Sequence, residues 1–87
     1  MRKREWVDVA IDILELTLTP RKKMRIMYGA NLNFKRFNNY FHDLLRKGFI
    51  VEANNPDDKP VYKISERGKT LLATLRKARD LISSEEH

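Results

Sequence analysis

The sequence has 87 residues, enough for one domain with a modest core, and its 18 Lys and Arg against 12 Asp and Glu give a formal net charge of +6 at pH 7. Such an excess of positive charge favours a polyanionic partner, of which nucleic acid is the common one. The absence of cysteine excludes a disulfide framework and a thiolate metal site, and because no apolar run is long enough for a membrane span or a signal peptide, we expect a cytoplasmic protein without membrane contact.

The first predicted helix, about residues 4–17, has an unusually wide apolar arc. One apolar stripe consists of Trp6, Val9, Ala10, Ile13 and Leu16, and a second stripe beside it consists of Val7, Ile11 and Leu14. A helix this apolar needs two burial partners: its own core and either a second subunit or the C-terminal helix. The remaining polar strip is acidic and is expected to face away from DNA; it consists of Glu5, Asp8, Asp12 and Glu15.

A short basic helix is predicted next, over about residues 20–28. The β-prone residues 17–19 before it are long enough for one small strand. Thr19 can serve as the N-cap and Pro20 as the first helical residue, and Gly29 is expected to end the helix. Its basic residues are candidates for holding DNA phosphates: Arg21, Lys22, Lys23 and Arg25.

The third predicted helix, residues 33–47, has the clearest boundaries. Asn33 can cap its first turn, and Gly48 can adopt the left-handed conformation that stops a helix. Its apolar residues recur at helical spacing and are expected to be buried: Phe34, Phe37, Phe41, Leu44 and Leu45. Its opposite face carries basic and amide groups of the kind that bind phosphate and read base edges: Lys35, Arg36, Asn39, His42 and Arg46.

Two interpretations of this third helix remain open at this point. Taken alone, the pattern also fits an ordinary core helix with a solvated basic face. The tight GANLN connection before it, however, completes a short helix, a turn that begins with glycine and a longer helix, which is the helix-turn-helix plan.

A β-hairpin and a long helix follow. Residues 49–52 and 61–64 are predicted strands, and the loop between them, NNPDDKP, carries Asp57 and Asp58 against a single Lys59. This acidic wing is poorly suited to pressing on DNA. Ser65 can cap a last helix that reaches about Ser83, and an apolar seam of the coiled-coil type runs along it: Leu71, Leu75, Ala78 and Ile82. The seam favours self-association over a helix that only lies on its own domain.

The order of helix, strand, helix, helix, strand, wing, strand and long helix is that of a winged helix-turn-helix. The blocks IMYGANLNFKRFNNYFHDLLRKGFIV and VYKISERGKTLL also resemble the small archaeal winged-helix proteins typified by the ArnR-like regulators and the dimeric ten-kilodalton DNA-binding protein of Sulfolobus. The likeness covers roughly residues 6–72. It implies a DNA-binding dimer joined through antiparallel C-terminal helices, although the last helix here is short for the family.

We therefore predict an α+β, mainly helical chain in which residues 1–65 form a winged helix-turn-helix DNA-binding domain and residues 66–87 form a dimerisation helix. The predicted contacts with double-stranded DNA are Arg21, Lys22, Lys23, Arg25, Asn33, Lys35, Arg36, Asn39, His42 and Arg46, with a possible arm of Arg2, Lys3 and Arg4. The predicted contacts within a homodimer are Val7, Ile11, Leu14, Leu71, Leu75, Ala78 and Ile82.

The leading functional hypothesis is a homodimeric transcriptional regulator that reads the major groove. Asn39 suits adenine and Arg36 suits guanine through paired hydrogen bonds. The alternatives are a sequence-tolerant architectural DNA-binding protein and a winged helix used for protein contacts. No phosphate-binding glycine loop, nucleophile elbow or effector pocket is recognisable, so we expect neither enzymatic activity nor a cofactor or small-molecule ligand.

Overall fold

The computed structural model describes residues 3–56 and 59–85. The predicted arm residue Arg2 and the wing residues Asp57 and Asp58 lie outside the described residues, as do the side chains of Lys3 and Arg4. The elements, in chain order, are α1 (Lys3–Leu16), β1 (Arg21–Lys22), α2 (Lys23–Ala30), α3 (Phe34–Arg46), β2 (Ile50–Ala53), β3 (Val61–Ile64) and α4 (Glu66–Glu85). This is the predicted α+β, mainly helical winged helix-turn-helix order. No helix in the described part of the chain is long and apolar enough to cross a membrane.

The three strands form one antiparallel sheet in the order β1-β3-β2. The hairpin was predicted correctly, and its register opposes Ile50 to Ile64, so that both side chains enter the core. β1 pairs with the other edge of β3 and opposes Arg21 to Tyr62. The sheet therefore attaches the hairpin to the segment that enters α2.

The core forms around α1. Ala10, Ile11, Ile13 and Leu14 have no exposed surface, and α1 packs against α2, α3 and α4. The prediction that Ile11 and Leu14 are dimer contacts is therefore wrong, because both are buried inside their own chain. The sequence left open whether a second subunit or the C-terminal helix also covers α1. In the structure the C-terminal helix, α4, does so. Val7 is partly buried against the same core.

The segment between α1 and α2 differs from the prediction. Residues 17–19 form a turn, since the buried Thr17 hydroxyl donates to the Ile13 and Leu14 carbonyls at 2.9 and 3.0 Å. The Thr17 carbonyl accepts from the Ile64 amide at 2.7 Å. The strand begins only at Arg21, and α2 begins at Lys23 without a side-chain cap, so the predicted cap at Thr19 is wrong.

The predicted end of α2 was also wrong by two residues. Gly29 lies inside α2, and the left-handed residue that ends the helix is Asn31, with φ 57°. A Cβ added to Gly29 would lie 2.8 Å from Leu16 Cδ2. Glycine at this position therefore allows α1 and α2 to approach closely.

The start of α4 is fixed to the exit of α3. The Ser65 hydroxyl caps α4 by accepting from the Gly68 amide at 2.9 Å, as predicted, and it also contacts the Gly48 carbonyl oxygen at 2.6 Å. Arg67 Nε donates to the Lys47 carbonyl at 3.0 Å. A Cβ on Gly68 would collide with the Phe49 carbonyl oxygen and approach Ile64 Cγ1 to 2.7 Å, so only glycine allows this contact.

Candidate nucleic-acid interface

The boundaries of α3 follow the sequence closely. Asn33 Oδ1 accepts from the Arg36 amide at 2.9 Å, which confirms the predicted N-cap. At the other end Gly48 adopts φ 79°, a conformation that favours glycine. The helix is therefore held at both ends, and the direction of its outward face is fixed.

That outward face is polar and exposed. The rings of Phe37 and Phe41 stack in the core with centroids 5.0 Å apart, and Leu44 is buried beside them. The opposite side is solvent-exposed at Lys35, Arg36, Asn39, His42 and Arg46. The predicted division of α3 into a buried apolar face and an exposed basic and amide face is therefore confirmed, with one exception.

The exception is Phe34, which the helical spacing placed on the buried side. It is 61% exposed. Phe34 is the first residue of α3, so its ring extends past the elements that cover Phe37 and Phe41. A periodic pattern identifies the face of a helix, but it does not show how far the neighbouring elements extend along that face.

Arg36 is linked to α1 across the surface. Its guanidinium forms an ion pair with the Glu5 carboxylate, and the Tyr40 hydroxyl donates to the same carboxylate at 3.3 Å. We expected the acidic strip of α1 to face away from DNA. One of its residues, Glu5, instead lies directly beside α3. The pair fixes the guanidinium and neutralises part of its charge.

The other end of the face contains a second carboxylate. Asp43 accepts from Arg46 at 2.7 Å and from Lys47 at 3.2 Å. The Arg46 side chain remains 77% exposed in this pair, so it can leave the carboxylate at little cost. Lys35, Asn39 and His42 make no hydrogen bond or ion pair with side chains in the described ranges.

A second group of cations lies between α2 and the hairpin. They line an open groove of ≈ 880 Å³ together with apolar side chains, and they are Arg21, Lys22, Lys23, Arg25 and Lys59. The sequence had placed Arg21 and Lys22 at the start of a helix, but in the structure they form β1. Arg21 Nε donates to the Leu16 carbonyl at 2.7 Å, whereas Lys22 and Arg25 are exposed.

Aromatic side chains connect this cation group to α3. Lys23 Nζ lies 5.3 Å from the Phe41 ring centroid and 6.0 Å from that of Phe34. Tyr62 of β3 packs edge-on against Phe41 at 4.9 Å. Burial, and then the Glu52 carboxylate, raise the pKa of Tyr62 above its ordinary value of 10.0, so its hydroxyl is neutral at neutral pH. The sequence did not indicate these cross-element contacts.

Two of the remaining acids of α1, Glu15 and Asp8, are paired with arginines of α4. Arg76 binds Glu15 through two nitrogens at 2.6 and 3.0 Å, and Arg79 lies 3.7 Å from Asp8. Desolvation, followed by the charges of Glu15 and Asp8, raises the pKa of Asp12 above its ordinary 3.8. Among the residues that the structure describes, no cluster of acids or histidines could hold a metal ion.

The predicted dimer seam of α4 divides into two parts. Leu75 is buried against its own core, and Leu71 packs against that core, so the first half of the seam is used within the chain. Ala78 is half-buried. Further along, Ile82 is 52% exposed and the neighbouring Leu81 59%, which leaves an apolar end on α4 that none of the described side chains fully covers.

Comparison with known proteins places these features in a family. The winged helix-turn-helix family model matches residues 3–83. Two uncharacterized proteins of Methanocaldococcus jannaschii are similar: one is 31% identical over 94% of this chain and 80% of its own length, and the other 33% identical over 92% of this chain. The chain spans only 36% of that second relative.

Solved structures show the same fold. Sso10a-2, a DNA-binding protein from Sulfolobus solfataricus, superposes with a TM-score of 0.75 at 25% identity, over 92% of this chain and 87% of its own. A MarR family transcriptional regulator from Rhodococcus sp. RHA1 superposes with a TM-score of 0.75 at 16% identity, over 99% of this chain and 61% of its own. At that identity the second likeness concerns the fold alone.

Proposed function

This chain belongs to the winged helix-turn-helix family, and from that premise we propose that it is a homodimeric DNA-binding protein that regulates transcription by reading the major groove with α3. The observation that carries the proposal is the outward face of α3. Four basic or amide-bearing side chains and one imidazole lie on this face, and all five are exposed to solvent. Such groups bind phosphates and base edges.

The side chains of α3 divide by chemistry. Asn39, in the middle of the face, suits paired hydrogen bonds to adenine. Arg36 suits guanine, and its ion pair with Glu5 holds the guanidinium at one edge of the face. Lys35 and His42 complete the base-facing set. Arg46, at the end of the helix, suits a contact with a phosphate.

The cations near the hairpin supply the rest of the phosphate contacts. Lys22, Lys23 and Arg25 lie on the groove beside α3, and Lys23 also contacts the ring of Phe41 in α3. Phosphate contacts fix the register of a protein on DNA without reading its sequence. Together with the net charge of +6, these cations support binding to double-stranded DNA and a nucleoid location.

The homodimer in this proposal uses the end of α4. Ile82 and Leu81 are exposed, and burial of such side chains on a second copy would stabilise a dimer by about 25 cal/mol for each Å² removed from water. Sedimentation should give twice the 10.3 kDa chain mass. The Ile82→Asp variant should sediment as a monomer, while Thr74→Asp, an exposed change on the same helix, should not alter the mass. A wild-type monomer at all concentrations would contradict this part of the proposal.

A second function is supported by one of the comparisons. Sso10a-2 is a DNA-binding protein, which fits an architectural role as well as a regulatory one. An architectural protein would use the same phosphate contacts with little base discrimination. The two functions differ in specificity and not in the location of the interface.

Salt-dependent titration separates them. A labelled duplex from upstream of the protein's own gene and a random duplex of equal length would be titrated at several salt concentrations. Both affinities should fall with salt, by a logarithmic slope of about −0.9 for each phosphate contacted. A preference of about a thousandfold for the upstream duplex would support an autoregulatory role. Equal affinities would favour the architectural function, and no binding to either at low salt would refute both.

A further inference from the structure

The first residue of α3 is an exposed aromatic ring on a helix whose other exposed side chains are polar. Phe34 is 61% exposed, whereas Phe37 and Phe41 of the same helix are buried. Lys35 follows it in the sequence, and Lys23 Nζ lies 6.0 Å from its ring centroid. The ring therefore lies near Lys23, one of the cations that the proposed function assigns to DNA. Exposed apolar surface of this size gains free energy if a partner covers it.

Few groups on DNA can cover a phenyl ring favourably. The N-terminal residues of a recognition helix contact base edges in the major groove, and the Asn33 cap places Phe34 at that end of α3. Most of those edges are hydrogen-bond donors or acceptors, which would lose water and gain no partner under a ring. The thymine C5-methyl group is the apolar exception.

We propose that Phe34 is a specificity-determining residue that recognises thymine by contact between its ring and the C5-methyl group. The inference rests on the proposed function, since α3 must enter the major groove for the contact to form. It adds to the hydrogen-bonding residues Asn39 and Arg36 a contact that selects thymine by an apolar group alone. The nearby Lys23 ammonium would hold the adjacent phosphate and keep the ring against the base.

The test removes the methyl group from the DNA without changing base pairing. The duplex most enriched by the full-length protein from a random pool would be synthesised with thymidine, and again with deoxyuridine at every thymidine and then at single positions. Wild-type protein should bind the fully substituted duplex roughly fifteenfold more weakly, because each half-site of a dimer would lose one buried methyl group and each such loss weakens binding about fourfold. The loss should map to one position in each half-site.

The protein variants show whether Phe34 causes that loss. Phe34→Ala should bind the thymidine and deoxyuridine duplexes equally, while Phe34→Leu should retain part of the discrimination. Tyr28→Ala is the matched control, because it removes a ring that is 70% exposed from α2, and it should discriminate like wild type. Unchanged thermal melting of Phe34→Ala would show that an altered fold does not explain its behaviour.

The outcomes separate this inference from the proposed function. Wild-type binding that is equal for the two duplexes would overturn the inference while leaving α3 as a DNA-binding helix. Discrimination that persists in Phe34→Ala would also overturn it, since another group would then contact the methyl. Absence of binding to any enriched duplex would refute the proposed function itself.

Discussion

The two charged faces of this protein balance their charges differently. On the face formed by α1 and α4, acids and arginines are paired within the chain: Glu15 with Arg76, and Asp8 with Arg79. On the face formed by β1, α2 and α3, no ion pair with any described residue is found for Lys22, Arg25 and Lys35. The first face uses its charges to join two helices.

The comparison separates the cations that stabilise the fold through ion pairs from the cations that do not. Paired arginines on the first face are accounted for by contacts inside the molecule. On the second face Lys22, Arg25 and Lys35 form no ion pair among the described residues, and like charges repel one another, so the anionic partner proposed above would relieve that repulsion. Arg36 lies between the two cases, because it belongs to α3 but pairs with Glu5 of α1.

The largest expected effect is a loss of stability from a substitution in the first turn of α4, which with α1 forms the paired face. Gly68→Ala would place a methyl group against the Phe49 carbonyl and 2.7 Å from Ile64 Cγ1. Neither backbone nor buried side chain can move away cheaply, so we expect a loss of at least about 3 kcal/mol in the free energy of unfolding. Urea denaturation measures it. Thr70→Ala, exposed in the same helix, should change stability by less than about 0.5 kcal/mol; comparable losses would contradict the collision argument.

Two variants distinguish the roles of cations on the unpaired face. Arg36→Ala should cost about 1 to 3 kcal/mol on an enriched duplex and relax base preference at one position, because it removes a paired base contact. Lys22→Ala should weaken all sequences alike and reduce the salt slope by about one unit. Binding titrations on enriched and random duplexes measure both. Equal losses on the two duplexes for both variants would count against this assignment.

A smaller effect is expected from breaking a pair on the first face. Arg76→Ala removes the contact with Glu15, and because both side chains are about two-fifths exposed, solvent screening limits the loss of stability to about 0.2–1 kcal/mol. Thermal melting measures the loss, which should shrink in high salt. DNA affinity should change little, since Arg76 lies on α4. A loss as large as that for Lys22→Ala would show that the two faces are not independent.

The smallest effect depends on pH. The pKa of Asp12 is raised in the folded protein, first by desolvation and then by Glu15 and Asp8, so the folded state binds its proton more tightly than the unfolded state does. This favours folding below the ordinary pKa of 3.8 and is lost as pH rises through the raised value. Asp12→Asn should therefore stabilise the protein at pH 7, by no more than about 0.5 kcal/mol, and not below the unfolded pKa. Melting curves at both pH values test this; a destabilised variant at pH 7 would contradict it.

Local signals in the sequence predicted most of the fold. The Asn33 cap, the hairpin and the Ser65 cap each depend on a few adjacent residues, and each is present in the structure. The place of β1 depends instead on pairing with β3, forty residues away in the chain, so the β-prone residues 17–19 were mistaken for the strand. The wide apolar arc of α1 was recognised from the sequence. Periodicity could not show, however, whether α4 or a second subunit covers Ile11.

The candidate interface was predicted less completely. The exposed face of α3 followed from helical spacing, because that spacing is set by backbone geometry. The Arg36–Glu5 pair and the Lys23–Phe41 contact join separate elements, and residue spacing carries no signal for them. The exposure of Phe34 depends on where neighbouring elements stop, which is a property of the assembled fold.

The attachment of α4 to the end of α3 also affects how far apart the two α3 helices would lie in the proposed dimer. Ser65 and Arg67 bind the carbonyls of Gly48 and Lys47, so the direction of α4 is fixed relative to α3 of the same chain. In the proposed dimer, the length of α4 would then set the separation between the two recognition helices. Adding four residues to α4 would lengthen it by about 6 Å and should shift the preferred separation of half-sites while leaving the sequence of each half-site unchanged.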